Sequence, residues 1–339
     1  MSLAEARTKR DDARQQLRAG IDPNALKKEV KAARIIADLG TVEKVAQSWL
    51  DFKSAGWAEE TQRKAKYVVD QYIIPQLGKR KIADLRTADV APMLASMSKG
   101  TPDVAKKARQ YVNGIVRYAI RNGLREDGRL LSLEDALPRS ESGHHPAATL
   151  PQEIGEVMAA LKAYPSPVTR GALLICAYTA MRPGVAVQME WSEIHGDEWH
   201  VPAKKMKKRR IHIVSLPTQV LDVLDDMRRF SGGEGYVFPP LARQKNPHLN
   251  RDSLSSALRD MGFRGKQTPH GFRATMRTAA RERLKVDSDV LQAQLAHAKQ
   301  GNVAKAYDRT TFDDERREAM QTWANWLDEQ SDAATKRNQ

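Results

Sequence analysis

The sequence predicts a mainly α-helical protein with one small β-hairpin, and three observations support this class. Apolar residues recur every three or four positions along most of the chain, which is the period of a helix with one buried face. Two short runs, at 198–202 and 210–216, alternate instead and are typical of paired strands. A length of 339 residues exceeds one ordinary core, so we expect two or three domains.

The composition indicates a folded protein with a polyanionic partner. Lysine and arginine total 56 against 42 aspartates and glutamates, which leaves a net charge of +14. This excess favours nucleic acid over a membrane as the partner, with a merely basic soluble protein as the alternative. The single cysteine, Cys176, excludes an intrachain disulfide or a cysteine-based zinc cluster and fits a reducing cytosol. The charged N-terminus lacks an apolar run, which predicts no signal peptide.

The chain divides into a helical lead-in at 1–39, a small helical domain at 41–138, a linker at 139–148 and a second domain at 149–339. The lead-in begins with a Ser-x-x-Glu capping box, and the linker is rich in small and polar residues. In the first domain we expect one helix to begin at Thr41 and others to cover 59–72, 87–97 and 103–122, the second of them ending before Pro75.

The basic residues of the first domain and the two histidines of the linker each allow a functional interpretation and a purely structural one. Basic side chains on the predicted helices of the first domain would form a phosphate-binding face if they cluster on one side, and are otherwise solvated charge. They are Arg63, Lys64, Lys66, Lys106, Lys107, Arg109 and Arg117. In the linker, the neighbouring His144 and His145 lack nearby carboxylates, which indicates a solvated loop in preference to a metal site.

The second domain begins with a helix at Pro151, followed by a nearly all-apolar and therefore buried helix at 169–181. The two alternating runs then bracket the basic stretch 204–210, which predicts a hairpin with a basic tip. Further helices are predicted at 252–261, 269–283, 287–298 and 313–329. The last of these carries Met320, Trp323, Trp326 and Leu327 in one apolar stripe, which suits packing in cis and docking on a neighbouring copy equally well.

Two segments combine a helix terminus with arginine, the residue that grips phosphate oxygens in pairs. Arg182 follows the buried helix and suits either a structural ion pair or a rigid phosphate clamp. Thr268 and Pro269 predict a helix start, which would place His270 and Arg273 on one face near an anion-binding terminus. A capped helix with solvated polar residues is the alternative interpretation of this second segment.

The basic hairpin and the last tyrosine of the chain complete the set of candidates. A lysine on the hairpin could reach into a groove and protonate a leaving oxygen, although most of these lysines are expected to make only nonspecific phosphate contacts. Tyr307 has an ordinary pKa of about 10 and is a poor nucleophile unless cations surround it. By itself it is more typical of an ordinary core or surface tyrosine than of an attacking group.

In order along the chain the candidates are Arg182, a hairpin lysine, His270, Arg273, His297 and Tyr307. In this order and context the sequence resembles the tyrosine recombinases, or phage-type integrases, especially those of prophages and genomic islands. The segments that carry the resemblance are YTAMRPG, MKKRRIHIVSLP, HGFRAT and QLAHAKQGNVAKAYDR. The resemblance covers nearly the whole chain.

The resemblance implies a helical core-type DNA-binding domain and a mostly helical catalytic domain. It implies that Tyr307 attacks a DNA phosphodiester and forms a 3′-phosphotyrosyl bond, while Arg182 and Arg273 hold the nonbridging oxygens. His270 would take part in proton transfer, and His297 would hydrogen-bond the phosphate. Lys207 would protonate the leaving 5′-oxygen, with Lys205 and Lys208 as alternatives. No cofactor and no metal is implied, because the covalent bond conserves the phosphodiester energy.

The resemblance also implies partners and leaves alternatives. Double-stranded DNA, a homotetramer assembled on it, and a DNA-bending accessory protein or excisionase are the expected partners, in the cytoplasm at the bacterial nucleoid. Such enzymes usually carry a further N-terminal domain for arm-type sites, and this sequence begins where that domain would end. A type IB-like topoisomerase and a catalytically inactive DNA-binding relative are the competing functions.

Overall fold

The computed structural model describes residues 15, 17, 18, 22, 40–126, 128–138, 145–242, 244–296 and 310–337. The chain forms two compact units, Met1–Ser142 and Gly143–Gln339. Nearly all of the predicted lead-in helix at 1–39 lies outside the described residues. Within them, the predicted class is confirmed, since helices dominate and the described strands form one small sheet.

Helices account for nearly all regular structure in the first unit. They are α1 (Val42–Ser54), α2 (Glu59–Val68), α3 (Ile74–Leu77), α4 (Thr87–Gly100) and α5 (Pro102–Arg121). The side chain of Thr41 caps α1 by accepting the Lys44 N–H, as its sequence predicts. The aromatic rings of Trp49 and Trp57 meet edge to face with centroids 5.4 Å apart, within the apolar core of this unit.

The prediction that a helix ends before Pro75 is wrong, because a wider turn carries the chain through the proline. Residues Val69–Ile73 form a π-helical turn in which the Ile74 N–H donates to the Val69 carbonyl, five residues back. Proline lacks an N–H and its ring displaces the carbonyl four residues before it in a regular α-helix. The π turn changes that spacing, and Pro75 then occupies the first turn of α3, where an N–H is not needed.

The second unit combines helices with a three-stranded antiparallel sheet in the order β1-β2-β3. The strands are β1 (Ile194–His195), β2 (Glu198–Val201) and β3 (His212–Ser215), with Val201 opposite His212 beside the hairpin tip. The helices are α6 (Pro151–Ala163), α7 (Pro167–Thr179), α8 (Pro183–Ala186), α9 (Thr218–Ser231), α10 (Arg251–Asp260), α11 (Phe272–Arg283), α12 (Ser288–Gln294) and α13 (Asp313–Arg337). Both β1 and α9 were missing from the sequence-based prediction.

The buried helix α7 lies at the centre of the second core, as its apolar sequence predicts. Every residue from Gly171 to Thr179 is buried. Cys176 has no exposed surface, and burial raises the pKa of its thiol to about 12. This cysteine is therefore a packing residue.

The C-terminal helix α13 packs in cis on α6 and α7 of its own unit. Met320, Trp323 and Leu327 are almost completely buried there, and the Trp323 indole donates to the Ala177 carbonyl at 3.0 Å. The apolar stripe allows packing in cis or docking on a neighbouring copy, and in this structure it packs in cis. None of the described helices combines the length and the apolarity that crossing a bilayer requires.

Candidate active site

Arg182 is mounted on a fixed turn at the end of the buried helix. The chain leaves α7 through Ala180, whose φ of 51° is left-handed, and the Thr179 hydroxyl accepts the Met181 N–H at 3.3 Å. Arg182 then stands in extended conformation at the N-cap of α8 and is half-buried. Burial lowers the pKa of its guanidinium, and no carboxylate among the described residues pairs with it. The ion-pair interpretation of Arg182 therefore has no support in this part of the chain.

The predicted helix start at Thr268 and Pro269 is wrong, because a separate turn precedes the helix. The Gly271 N–H donates to both the carbonyl and the hydroxyl oxygen of Thr268, each at 2.9 Å. These bonds close a turn over 268–271, and α11 begins only at Phe272. His270 consequently lies in the turn, while Arg273 is the second residue of the helix.

The Arg273 guanidinium joins three separated segments of the sequence. One of its terminal nitrogens donates to the Ala180 carbonyl at 2.7 Å, and the other donates to the Leu295 carbonyl at 2.6 Å. Arg273 is only 6% exposed. Burial, and then the positive charge of Arg182, lower its pKa to about 10. The two carbonyls therefore fix the orientation of the guanidinium.

His270 lies beside the two arginines. Partial burial lowers its pKa below the ordinary 6.5, and the electrostatic interactions with His145, Arg273 and Arg182 act in the same direction. The imidazole is consequently neutral at pH 7 and can accept one proton while donating another. Its ring centroid is 4.6 Å from that of His145, a contact that the sequence did not indicate.

The structure separates the three candidate lysines of the hairpin. The Lys205 ammonium is 6% exposed and forms ion pairs with Glu190 at 2.8 Å and Glu193 at 2.5 Å, besides donating to the Gln188 carbonyl. Lys207 and Lys208 are exposed at the centre of the turn that follows the buried Met206. The Lys205 side chain is therefore held by these contacts, while the other two are exposed and can reach outward.

Three polar side chains near Arg182 and Arg273, of which Gln294 and Arg316 are buried and His212 is half-buried, carry no signal in the sequence. Gln294 donates its side-chain amide to the Thr179 carbonyl at 3.1 Å and accepts from the Arg316 guanidinium at 3.3 Å. Arg316 also donates to the Ile213 carbonyl, which joins α13 to β3. His212 bonds the Gln294 carbonyl at 3.0 Å, and its pKa is lowered to about 4 by burial first and by Arg316 next. Each sits alone in an ordinary helix or strand pattern, which offers no sequence signal.

The remaining two predicted site residues, His297 and Tyr307, lie outside the described residues. The described chain nevertheless reaches both sides of this segment. Leu295, which accepts from Arg273, is two positions before His297 in the sequence, and Arg316 is nine positions after Tyr307. Arg182, His270 and Arg273 are the members of the predicted set that the structure brings together, with Lys207 on the exposed hairpin turn.

Comparison with known proteins identifies the class. The phage integrase central domain model matches residues 42–136, and the phage integrase family model matches residues 148–313. The integrase of Enterobacteria phage P4 is 32% identical over 97% of this chain and 78% of its own length. The prophage integrase IntZ of Escherichia coli is 29% identical over 97% of this chain and 81% of its own length.

Solved structures agree with the fold. A lambda integrase tetramer bound to a Holliday junction has a TM-score of 0.61 at 18% identity, covering 89% of this chain and 86% of that one. The Tn1549 transposon integrase in complex with circular intermediate DNA has a TM-score of 0.59 at 14% identity, covering 82% and 99%. The class defined by the family models and the 32% identical relative is that of the tyrosine site-specific recombinases. Within that class, the chain belongs to the phage integrase family.

Proposed function

We propose that this integrase breaks and rejoins DNA with Tyr307 as the nucleophile and with Arg182 and Arg273 as the clamp on the scissile phosphate. The observation that carries the proposal is the pair of carbonyl bonds on Arg273. They join the first turn of α11 to Ala180, two residues before Arg182, and to Leu295 at the end of α12, although Ala180 and Leu295 are more than a hundred residues apart in the sequence. A pair of arginines held in place before the substrate binds suits the charge that develops on a phosphate in the transition state.

The chemical steps balance without a further reactant. The Tyr307 oxygen loses its proton and bonds to phosphorus, and the bond from phosphorus to the 5′-oxygen breaks. Lys207 gives a proton to that oxygen, which leaves as a 5′-hydroxyl. A 5′-hydroxyl then attacks the phosphotyrosyl bond, and the tyrosine recovers a proton as it leaves. Neutral His270 is suited to move the proton of the tyrosine, and His297 would hydrogen-bond the phosphate.

Lys207 is the preferred general acid because of where the hairpin places the lysines. Protonating a leaving oxygen requires an ammonium that can enter the site and change its charge. Lys205 is enclosed by two carboxylates and a carbonyl, which hold it in place. Lys207 is exposed on the turn and has this freedom, and Lys208 is the second choice.

The partner we propose is double-stranded DNA, bound by a tetramer of this chain. The net charge of +14 supports a polyanionic partner, and a tetramer on a Holliday junction is the form in which the similar lambda integrase was solved. A DNA-bending accessory protein or an excisionase would assist integration or excision of a mobile element. The setting that we propose is the nucleoid in the bacterial cytoplasm.

The decisive experiment traps the covalent intermediate on a nicked suicide substrate that carries the core site of the element. We expect an adduct in excess EDTA that disappears in Tyr307→Phe, because the mechanism needs the tyrosine oxygen and no metal. DNA binding of the variant is the control, since removal of one hydroxyl should leave the phosphate contacts intact. Failure of the wild-type chain to form an adduct with a verified site would refute the proposal. Joined products distinguish recombination from relaxation of supercoiled DNA alone.

A further inference from the structure

The end of the linker lies against the turn that carries His270. Residues 145–148 form this segment, which we name the strap. The Pro146 carbonyl accepts two hydrogen bonds from Thr268, one from its backbone N–H at 3.1 Å and one from its hydroxyl at 3.2 Å. Thr268 is also the residue whose oxygens accept from Gly271. The strap is therefore bonded directly to the residue that closes the turn.

A second pair of bonds, farther along the strap, is buried. The Ala148 N–H donates to the Gln267 side-chain oxygen at 2.6 Å, and the Ala148 carbonyl accepts the Thr275 hydroxyl at 2.8 Å. All three residues are less than 9% exposed. Because Gln267 precedes the turn and Thr275 follows Arg273, the strap is attached on both sides of the residues assigned to the phosphate site.

Gly271 shows how closely the strap approaches the turn. A Cβ atom at this position would lie 2.3 Å from the Pro146 carbonyl oxygen, which is well inside the contact distance of carbon and oxygen. Only glycine therefore fits beneath the strap, and the backbone of Gly271 has an ordinary φ of −59°. The close approach, not an unusual φ, accounts for glycine between His270 and Arg273.

At its first residue the strap contacts the side chain of His270 itself. The two imidazole rings of His145 and His270 are tilted by 56°, with centroids 4.6 Å apart. The titratable groups that face His270 are His145 from the strap, Arg182 from the turn after α7 and Arg273 from α11. Of these, His145 is the one in ring contact, and it is exposed.

We propose that the strap is part of the active site and that His145 is a positioning residue, whose ring holds that of His270 in place. The backbone bonds of residues 146–148 fix the turn, but they leave the exposed imidazole of His270 free to rotate about two side-chain bonds. Contact with a second ring restricts that rotation. The inference rests on the proposed role of His270 in proton transfer, which requires the ring to be in place before the tyrosine reacts.

Two substitutions at His145 test the positioning role. His145→Ala removes the contact, and we expect single-turnover cleavage of the suicide substrate to slow on the order of tenfold, with DNA affinity and thermal stability unchanged. His145→Phe keeps an aromatic ring against His270 and should restore cleavage to within about twofold of wild type. A rate for His145→Ala equal to that of wild type would overturn the proposal.

The pH profile of cleavage provides a readout that a purely structural role would not change. His145→Ala opens the His270 ring to water and removes the imidazole that interacts with it. The pKa of His270 should therefore rise towards its ordinary 6.5, and the acid limb of the profile should move upward with it. An acid limb that stays in place would contradict the contact between the two rings.

The chain offers a matched control for the ring contact. His195 and His200 form a pair with the same centroid distance of 4.6 Å and the same tilt of 56°, in the sheet of the same unit. His195→Ala should leave cleavage unchanged, and an equal loss in this variant would show that the effect at His145 is not specific. His270→Ala distinguishes a failure of the positioning role of His145 from a failure of the proposed function. Full cleavage by that variant would refute the role of His270 itself.

The backbone part of the strap is tested at Gly271. Gly271→Ala places a methyl group against the Pro146 carbonyl and should slow cleavage at least as much as His145→Ala does. The control is Gly184→Ala, whose added methyl meets only Arg251 at an ordinary 3.6 Å. Equal cleavage by the two alanine variants would remove the case for the strap as a support of the turn.

Discussion

His212 should make the second unit sensitive to mild acid. Its pKa is about 4 in the folded chain, against about 6.5 for an unfolded one, because burial and Arg316 disfavour the charged ring. The neutral form therefore stabilises the fold fully above pH 6.5, and this contribution is lost as the pH falls through the window from 6.5 to 4. At pH 5 the unfolded chain has taken up the proton and the folded chain has not. Linkage then predicts that the free energy of unfolding is about 2 kcal/mol lower at pH 5 than at pH 7.5.

The substitution that tests this is His212→Gln, since an amide can still donate to the Gln294 carbonyl but does not titrate. Urea unfolding of the full chain at pH 7.5 and pH 5 would be followed by a pulse of thiol reagent on Cys176. This is the one cysteine of the chain and is buried in α7, so its reactivity reports on the second unit alone. We expect the loss of stability between the two pH values to shrink by about 2 kcal/mol in the variant.

The control for this experiment is His195→Gln, an exposed histidine in the same sheet, which should show the same loss as wild type. Equal losses in wild type and His212→Gln would refute the assignment of the acid sensitivity to His212. They would also show that the network near Arg182 and Arg273 tolerates a charged imidazole.

Two further predictions concern the arginines and the hairpin. Arg182→Ala and Arg273→Ala should each abolish adduct formation while a gel-shift assay shows DNA binding largely intact, because many other phosphate contacts remain; equal collapse of both would contradict the clamp. Lys205→Ala should leave the buried carboxylate of Glu193 unpaired and destabilise the second unit by roughly 3–5 kcal/mol in urea unfolding. Lys207→Ala should abolish cleavage and change the free energy of unfolding by no more than about 0.5 kcal/mol. If Lys205→Ala abolished cleavage and Lys207→Ala destabilised the unit instead, the roles of the two lysines would be exchanged.

The helices that the sequence predicted well are those with local start signals and one clear apolar face. Thr41 caps α1, Asp287 caps α12 by accepting the Asp289 N–H, and the apolar spacing from Pro151 matches the buried face of α6. Caps and periodicity are decided within a few residues, so they can be recognised without knowledge of the rest of the fold. The continuation of the helix through Pro75 could not be predicted in this way, because no local sequence signal indicates a π turn.

For the candidate site, the sequence predicted a set of residue types in a certain order. It did not predict how these residues are arranged in space. Arg182 and Arg273 were recognised because arginine beside a helix terminus already suggests an anion. His145 was assigned to a solvated linker, since nothing in its neighbours points to a partner more than a hundred residues away. Gln294, His212 and Arg316 act only through contacts between α12, β3 and α13, which are long-range by nature.

The sequence by itself determined the helical class, the hairpin with its basic tip and the order of the candidate residues, because periodicity, turn residues and charge are local properties. The tertiary structure decided that α13 packs in cis, since an apolar stripe does not specify which core covers it. It also decided that Lys205 is enclosed while Lys207 is exposed. Their sequence surroundings are nearly the same, but Glu190 and Glu193 reach only Lys205 once the hairpin has folded.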